Sequence, residues 1–279
     1  MRQLTNELIV KFKTHLIQEE KAPATLEKYI RDIFHFKCWL DGRGVEKSVV
    51  LEYKQMLIEA YAPASVNSVL SSLNSFFLFY EWFDCRVKTL KIQRQIFSSA
   101  NKELTKEDYG RLLKAAQQKK NQRLFLLMQT ICATGIRVSE LRHITAEAVC
   151  TGEANIRCKG KQRKVWLPKQ LCNMLKGYMK EQNIKSGSVF ISRNGRPLDR
   201  SNLWKMLKDL CETAGVSKEK VFPHNLRHLF ARTYYSLQKD IVRLADILGH
   251  SSVNTTRIYT METGEIHRRQ IQELGLLQC

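Results

Sequence analysis

The residues best suited to catalysis by their type and spacing lie between positions 222 and 260. They are His224, Arg227, His250 and Tyr259. His224 and Arg227 are three residues apart in a segment whose apolar residues recur at helical spacing. On a helix, side chains at this spacing emerge on one face, so the imidazole and the guanidinium can grip one small anion. His250 follows a Leu-Gly pair typical of a helix end, and Tyr259 comes nine residues later. The spacing predicts that these groups lie close together, separated only by short helices and turns.

This stretch reads FPHNLRHLFARTYYSLQKDIVRLADILGHSSVNTTRIYT and resembles the C-terminal half of the tyrosine recombinases, the phage-integrase family. Members of that family carry His-x-x-Arg, then a Leu-Gly-His turn, then a nucleophilic tyrosine nine residues on. A lone His-x-x-Arg is common on helices, and a tyrosine near a helix end is usually a packing residue. The pair, the turn and the tyrosine together, in this order, are a much more specific signal than any one of them alone. The resemblance implies that Tyr259 is a nucleophile.

A second signature, ATGIRVSEL at positions 133–141, matches the family almost residue for residue. The resemblance implies that Arg137 is the first catalytic arginine and that Glu140 is the acidic residue accompanying it. Residues 123–133 are nearly all apolar and predict a buried helix ending before Gly135. An arginine placed just after such a helix, with a carboxylate three residues on, is expected to be held rigidly.

The hydrophobic period changes to that of strands over residues 149–168. Short strands are predicted at 154–158 and 164–167, joined by the basic sequence KGKQR. In the family a lysine at this hairpin is the catalytic acid, and its Lys-Gly pair matches Lys159. Lys161 and Lys164 are the alternatives, and a basic hairpin that only touches phosphate is the simpler interpretation.

The first 84 residues predict four amphipathic helices, beginning near residues 4, 22, 47 and 62. This pattern looks like the SAM-like core-binding domain that precedes the catalytic domain in the family. Polar and basic residues on the second and fourth helices are expected to face DNA phosphates. They are Lys21, Thr25, Lys28, Arg31, Ser65, Asn67, Ser68 and Ser71.

The predicted fold is mainly α-helical with a small antiparallel β-sheet: a four-helix core-binding domain plus an α+β catalytic domain. The boundaries expected are 1–84 for the first domain, 85–101 for a basic linker, 102–260 for the catalytic domain and 261–279 for a C-terminal tail helix. Further DNA contacts are expected from basic residues of the hairpin and of a later Gly-Pro turn. They are Lys161, Arg163, Arg193, Arg196 and Arg200.

The chain's 279 residues include 46 Lys and Arg against 27 Asp and Glu, a net charge of +19. So large an excess favours a polyanionic partner, because neutralising phosphates releases condensed counterions. No apolar run approaches the ~20 residues of a membrane span, and the N-terminus lacks a signal-peptide core. The eight cysteines form no CxxC pair, so no metal site is expected. We expect a cytoplasmic, nucleoid-associated protein without a cofactor.

Attack on a phosphodiester concentrates charge on the non-bridging oxygens, and without a metal this charge must be met by fixed cations and donors. Arginine suits the task because its planar fork donates bidentately and keeps its proton. Arg137 and Arg227 are therefore expected to clasp these oxygens, with His250 adding a donor.

The nucleophile and the leaving group each need a proton partner. Tyrosine has a reference pKa of about 10, so Tyr259 needs a base, for which His224 is best placed. Lys159 would protonate the leaving 5′ oxygen. The resulting 3′-phosphotyrosine linkage preserves bond energy, so no ATP is required, and a 5′-hydroxyl can reverse the step.

The resemblance implies a site-specific recombinase that acts on duplex DNA through a Holliday junction, in integration, excision or inversion. It also implies a homo-tetramer on DNA, linked by the tail, and the family admits a directionality factor as a further partner. Two alternatives stay open: a type IB-like topoisomerase that works as a monomer, and a non-catalytic DNA-binding protein on the same fold.

Overall fold

The computed structural model describes residues 2–92, 103–158, 161–192, 195, 198, 200–259 and 272–273, of which the side chains of residues 158 and 161 are not described. The chain divides into two compact units, Met1–Arg94 and Gln95–Cys279. Helices dominate both, and the named strands of the described residues form one two-stranded sheet. The predicted fold class is confirmed.

The first unit contains four helices that enclose a core of aromatic and aliphatic side chains. They are α1 (Asn6–Gln18), α2 (Pro23–Leu40), α3 (Lys47–Ala60) and α4 (Pro63–Phe79). Both α2 and α4 begin with a proline in the first turn, where its missing N–H costs nothing. The capping positions are Ala22 and Ala62, and neither makes a side-chain cap bond.

A buried ionic network joins α2 to α4. Lys28 Nζ donates to Asp32 Oδ2 at 2.6 Å, to the Ser68 carbonyl at 2.9 Å and to Ser72 Oγ at 3.0 Å. Ser72 Oγ also donates to Asp32 at 2.8 Å, and both Asp32 and Ser72 are buried. The ammonium therefore neutralises the buried carboxylate and fixes the packing of the two helices.

Two asparagines of α4 hold the extended segment that follows the helix. The Asn74 amide pairs with both backbone groups of Val87, at 2.8 and 3.0 Å. Asn67 does the same for Leu90, at 2.9 and 2.7 Å. The first residues of the predicted linker are thus bound to the first unit through their backbone.

The second unit consists of eight further helices among its described residues and one hairpin, β1 (Glu153–Cys158) with β2 (Lys161–Trp166). The helices are α5 (Lys106–Gln118), α6 (Gln122–Thr134), α7 (Ala146–Thr151), α8 (Lys169–Glu181), α9 (Arg200–Ala214), α10 (Pro223–Gln238), α11 (Ile241–Leu248) and α12 (Val253–Thr256). Helix α5 begins with a capping box, in which the side chains of Thr105 and Asp108 each accept from the other's backbone N–H.

Strand β2 begins three residues earlier than predicted, because backbone pairing continues to Cys158 opposite Lys161. Ile156 is buried, and Arg163 lies directly opposite it on the inner face of the hairpin. This register aims Arg163 at the second unit's interior, although its residue type suggests a surface position.

Helix α6 ends at Gly135, whose φ of 65° is a left-handed conformation. A Cβ at this position would lie 2.4 Å from the ring of Phe230 on α10, so glycine is required by both conformation and space. The close contact of α6 with α10 brings the residues after Gly135 beside Arg227. Within the described residues, no helix is long and apolar enough to cross a membrane.

Candidate active site

Arg137 begins a 3-10 helix, Val138–His143, directly after the α6 cap. Its guanidinium donates to Glu140 Oε1 at 3.1 Å and more weakly to the Leu248 carbonyl at 3.4 Å, and its backbone N–H donates to Glu140 Oε2 at 2.8 Å. The expected rigid Arg137–Glu140 pair is therefore observed. With 38% of its side chain exposed, Arg137 remains open to an incoming anion.

Glu140 is buried between two arginines. Arg163 donates to its Oε2 at 2.7 Å across 23 residues of sequence. Burial by itself raises the pKa of Glu140, yet the Arg137 N–H and the charges of Arg163 and Arg137 outweigh it, so the pKa falls below its usual value. The carboxylate stays ionised and holds both guanidinium groups.

Arg227 is fully buried on α10 and is fixed by three acceptors, one just after α6 and two at or just after the end of α11. Its NH1 donates to the Gly135 carbonyl at 2.5 Å, and its NH2 donates to the Leu248 carbonyl at 2.7 Å and approaches His250 Nε2 at 3.0 Å. Burial and the charge of Arg137 lower the pKa of Arg227 to about 10, although the nearby Tyr259 opposes the shift. It therefore keeps its positive charge at neutral pH.

Tyr259 lies in a 3-10 turn after α12 and is only 3% exposed. Its ring stacks on His250, with centroids 6.1 Å apart and planes at 16°. It also meets His228 edge-on at 4.8 Å and 89°. The tyrosine, His250 and Arg227 thus form one contiguous group, as their spacing in the sequence predicts.

His224 lies in the first turn of α10, exposed, with its ring 4.4 Å from that of His228. Desolvation by its neighbours, and then the positive charges of Arg227, Arg137 and Arg200, lower the pKa of His224. Among the described residues, the histidine rings that contact the Tyr259 ring are His228 and His250. The role of His224 as base therefore stays a prediction.

Two residues in this site carry no assigned role in the sequence prediction. His228 lies between His224 and Tyr259, and its buried Nε2 has no hydrogen-bond partner. Its spacing of four from His224 is the only sequence signal for this placement. Thr256 is fully buried, and its hydroxyl lies 2.8 Å from His250 Nδ1. Thr256 does not cap α12, because that position is held by Ser252.

The turn before His250 is shaped by Arg163. Gly249 has a φ of 65°, and a Cβ there would lie 2.6 Å from Arg163 Cδ. The Arg163 guanidinium donates to the Ile247 carbonyl in the same turn. Arg163 therefore joins the hairpin, Glu140 and the His250 turn.

Arg163 is among the residues predicted to contact DNA, but in the structure its side chain is only 15% exposed and its guanidinium points inward to Glu140. Contact with DNA by Arg163 stays a prediction. Arg200 lies close enough to His224 to affect its pKa. Other predicted positions lie outside the described residues. They are Lys159, the Lys161 side chain, Arg193, Arg196 and the tail from residue 260 onward, apart from residues 272 and 273.

The predicted DNA-facing residues of the first unit fall into two groups. Lys21, Arg31, Ser65 and Ser71 are exposed, and Thr25 is half-buried near the start of α2. The rest have intramolecular roles: Lys28 and Ser68 in the α2–α4 network and Asn67 in the pairing with Leu90. DNA contact by any of these residues stays a prediction.

No group of three or more His, Cys, Asp or Glu side chains able to hold a metal ion occurs in the part of the chain that the structure describes. The charged groups of the site are instead two guanidinium groups at the Leu248 carbonyl and a buried carboxylate. This arrangement suits binding of an anion such as a phosphate.

Comparison with known proteins gives independent findings. The model of the phage integrase family matches residues 102–265. The chain is 32% identical to tyrosine recombinase XerA of Thermococcus kodakarensis, over 98% of this chain and 96% of that protein. It is 30% identical to tyrosine recombinase XerD of Xanthomonas campestris pv. campestris, over 98% and 92%. A lambda integrase tetramer bound to a Holliday junction has the same fold, with a TM-score of 0.72, 19% identity and coverage of 91% of this chain and 76% of that one.

Proposed function

The chain belongs to the phage integrase family as a site-specific tyrosine recombinase that cuts and rejoins DNA, and we propose that Tyr259 is its nucleophile. One observation carries this assignment: Tyr259 stacks on His250, which contacts the buried Arg227 guanidinium. A phenol held beside a fixed cation is placed to attack a phosphate that the cation binds.

The anion-binding groups would be Arg137, Arg227 and His250. Both guanidinium groups reach the Leu248 carbonyl, so they converge on one point of the site. A phosphate bound there would receive donors already in position, which is the arrangement that stabilises a five-coordinate transition state. Glu140 would keep Arg137 in place.

Proton transfer would involve His224 and a hairpin lysine. The lowered pKa of His224 leaves its imidazole neutral at pH 7 and able to accept the Tyr259 proton. Lys159 is the proposed acid for the leaving 5′ oxygen, with Lys161 as the alternative. Lys164 is a weaker choice, because its Nζ pairs with Glu153 at 3.0 Å on the outer face of the hairpin.

In the proposed reaction, the Tyr259 oxygen attacks phosphorus, the bond to the 5′ oxygen breaks and that oxygen takes a proton. The 3′-phosphotyrosyl linkage is then attacked by a 5′-hydroxyl of a partner strand, giving a Holliday junction after the first exchange. Every bond to phosphorus that breaks is replaced by another, so neither ATP nor a metal ion enters the scheme.

Recombination joins two sites, and we expect four protomers to assemble on them, with duplex DNA as the partner. The lambda integrase tetramer on a Holliday junction supports this expectation through its shared fold. The first unit would grip the core sites and the tail from residue 261 would dock on a neighbouring protomer. A directionality factor, nucleoid association and a role in a mobile element stay predictions.

The nucleophile is tested with a nicked suicide duplex whose binding site is selected from a random pool. Tyr259→Phe should bind this DNA as the wild type does but form no covalent adduct, since the ring is kept and the attacking oxygen is lost. Tyr235→Phe is the matched control and should form the adduct, because Tyr235 is a half-buried tyrosine that packs against the same cluster. An adduct with Tyr259→Phe would place the nucleophile elsewhere.

The same assay separates the alternatives. Adduct formation should proceed in EDTA, and a strict need for a divalent ion in the chemical step would contradict the scheme. A type IB-like topoisomerase would relax supercoiled plasmid without exchanging strands between two sites, and a non-catalytic DNA-binding protein would form no adduct at all.

A further inference from the structure

The hydrogen bonds of His250 determine which of its nitrogens carries the proton. Nε2 lies 3.0 Å from Arg227 NH2, and Nδ1 lies 2.8 Å from Thr256 Oγ1. A guanidinium donates and cannot accept, so Nε2 must be the acceptor and hold no proton. Burial, followed by the charges of nearby arginines, lowers the pKa of His250 to about 4, so the ring is neutral at pH 7. Its single proton is therefore on Nδ1 and is donated to Thr256.

The reaction requires the opposite tautomer. Under the proposed function, on which this inference rests, His250 donates a hydrogen bond to a phosphate oxygen held by Arg227. The nitrogen that faces Arg227 is Nε2, so Nε2 must then carry the proton. A neutral imidazole has only one, and Nδ1 must become an acceptor.

Thr256 can serve both tautomers. A hydroxyl has one hydrogen to donate and two lone pairs to accept, and it rotates about its C–O bond. Thr256 is fully buried, so no water replaces it as the partner of Nδ1. A partner that could only accept would trap His250 in its DNA-free tautomer, and one that could only donate would exclude that tautomer.

We propose that Thr256 is a positioning residue that allows His250 to exchange tautomers when a phosphate enters the site. In the DNA-free protein the hydroxyl accepts from Nδ1–H. When the phosphate is bound, the hydroxyl rotates and donates its own hydrogen to Nδ1. One proton leaves Nδ1 and one arrives at Nε2, both by exchange with solvent when the half-buried ring moves transiently away from Thr256, so the ring stays neutral and no net charge moves. His250 is half-buried, which leaves the ring in reach of solvent.

The substitution that tests this is Thr256→Val, which keeps the shape and removes the hydroxyl. The Nε2–H tautomer would leave Nδ1 as a buried acceptor without a partner, so cleavage should slow roughly 10- to 100-fold at saturating DNA. Thr256→Ser keeps the hydroxyl and should restore most of the rate. Thr255→Val, the same change at the exposed neighbouring threonine, should leave cleavage within about twofold.

A spectroscopic measurement reports the tautomer directly. In the full chain labelled with 15N-histidine, the His250 signals of the DNA-free protein should show Nδ1 protonated and Nε2 bare. Addition of orthovanadate, a five-coordinate phosphate mimic, should move the proton to Nε2 in the wild type and in Thr256→Ser, but not in Thr256→Val.

Three results would overturn the inference: a proton on Nε2 before vanadate is added, protons on both nitrogens after it, or a Thr256→Val protein that folds and cleaves at the wild-type rate. The DNA-free spectrum does not depend on the proposed reaction. An adduct with Tyr259→Phe, combined with the expected spectra, would therefore reject the nucleophile and leave the tautomer intact.

Discussion

At the scale of single residues, the site consists of neutral imidazoles among positive guanidinium groups. Burial first, and then positive neighbours, lower the pKa values of His228 and His250 to about 4 and also lower that of His224. Protonation of any of them adds a cation beside Arg227 in a poorly solvated region. The site thus favours bases and acceptors at neutral pH.

This arrangement predicts a pH dependence of stability. The unfolded chain binds protons on these histidines below about pH 6.5, whereas the folded chain binds them on His228 and His250 only near pH 4. Between these values the unfolded state holds more protons, so the free energy of unfolding should rise with pH. Urea denaturation at several pH values measures this free energy and its slope with pH. His228→Leu should flatten the slope, and an unchanged slope in that variant would contradict the assignment.

Arg137 and Arg227 are expected to differ on substitution, although the same catalytic role is proposed for both. Arg137→Ala and Arg227→Ala should each slow adduct formation by orders of magnitude, since one such donor is worth about 3–4 kcal/mol in the transition state. Arg227→Ala should also lower the melting temperature, because it leaves the buried Gly135 and Leu248 carbonyls without their donor. Arg137→Ala should lower it less, because the Arg163 guanidinium and the backbone N–H of residue 137 still hold Glu140.

Cleavage on the suicide duplex and thermal melting together check both expectations. Lost affinity with an unchanged cleavage rate at saturation would make either arginine a phosphate anchor only.

The sequence could predict the residues whose chemistry is specific and whose spacing is local. Arg137 with Glu140, His224 with Arg227, and His250 with Tyr259 are all separated by fewer than ten residues. It could not predict the partner role of Thr256, because a hydroxyl near a helix start has a commoner use as a cap. Which threonine turns inward depends on the packing of α12.

At the scale of elements, the hairpin supports the site through Arg163. The two-residue period of β2 places Arg163 on the same face as the buried Val165, and this inward orientation could be predicted from the sequence. The partner of Arg163 could not be predicted, because Glu140 belongs to a different element and no local rule pairs the two residues. A basic residue in a basic hairpin was therefore expected at the DNA.

Removal of this support should destabilise the second unit. Arg163→Gln would leave Glu140 with Arg137 as its remaining arginine partner in a buried position, and we expect a loss of up to about 3 kcal/mol in the free energy of unfolding. Arg157→Gln removes the same charge from an exposed position of strand β1 and should cost less than about 0.5 kcal/mol. Urea denaturation compares the two. Equal, small losses would mean that the ion pair is dispensable.

The segment after α4 shows a second limit of local prediction. Its loss of helical period and its basic charge indicate a linker, yet Asn67 and Asn74 bind its backbone. Seven residues of helix span about 10.5 Å, and the three residues from Val87 to Leu90 in an extended chain span about 10 Å. The match of these lengths explains the pairing, but a sequence pattern gives no hint of it.

At the scale of the whole molecule, two units with separate cores carry a net charge of +19. The excess lies mostly after residue 100, in the unit that contains the candidate site. Fold class, family and activity class were all predictable from the sequence, because the signatures are dense between residues 103 and 260. The tetramer stays a prediction that rests on the resemblance alone, since the apolar residues of the tail do not identify the surface on which it docks.

The tail can be tested as an assembly element. Residues 261–279 carry Ile266, Ile271 and Leu274 at roughly helical spacing, too small an apolar face for a lone helix. Deletion of residues 264–279 should leave single-site binding intact and abolish paired-site complexes and recombination, measured by native gel shift and strand exchange. A protein with Arg268→Gln and Arg269→Gln keeps the apolar face and should still assemble. Wild-type recombination by the truncated protein would make the tail a local structural element.

The burial of Tyr259 and Arg227 affects how the protein can search a genome. If the proposed roles hold, a molecule that slides over bystander DNA presents to the DNA backbone neither the attacking oxygen of Tyr259 nor the guanidinium of Arg227, because the two residues are 3% and 1% exposed. Non-specific binding to DNA depends mainly on basic side chains that contact phosphates, and such contacts do not require Tyr259 or Arg227 to be exposed. Under that assignment, each tenfold reduction in accidental nicking would correspond to about 1.4 kcal/mol of opening cost, which binding of the target would have to supply. Burial of the two groups would then contribute to fidelity before any base is recognised.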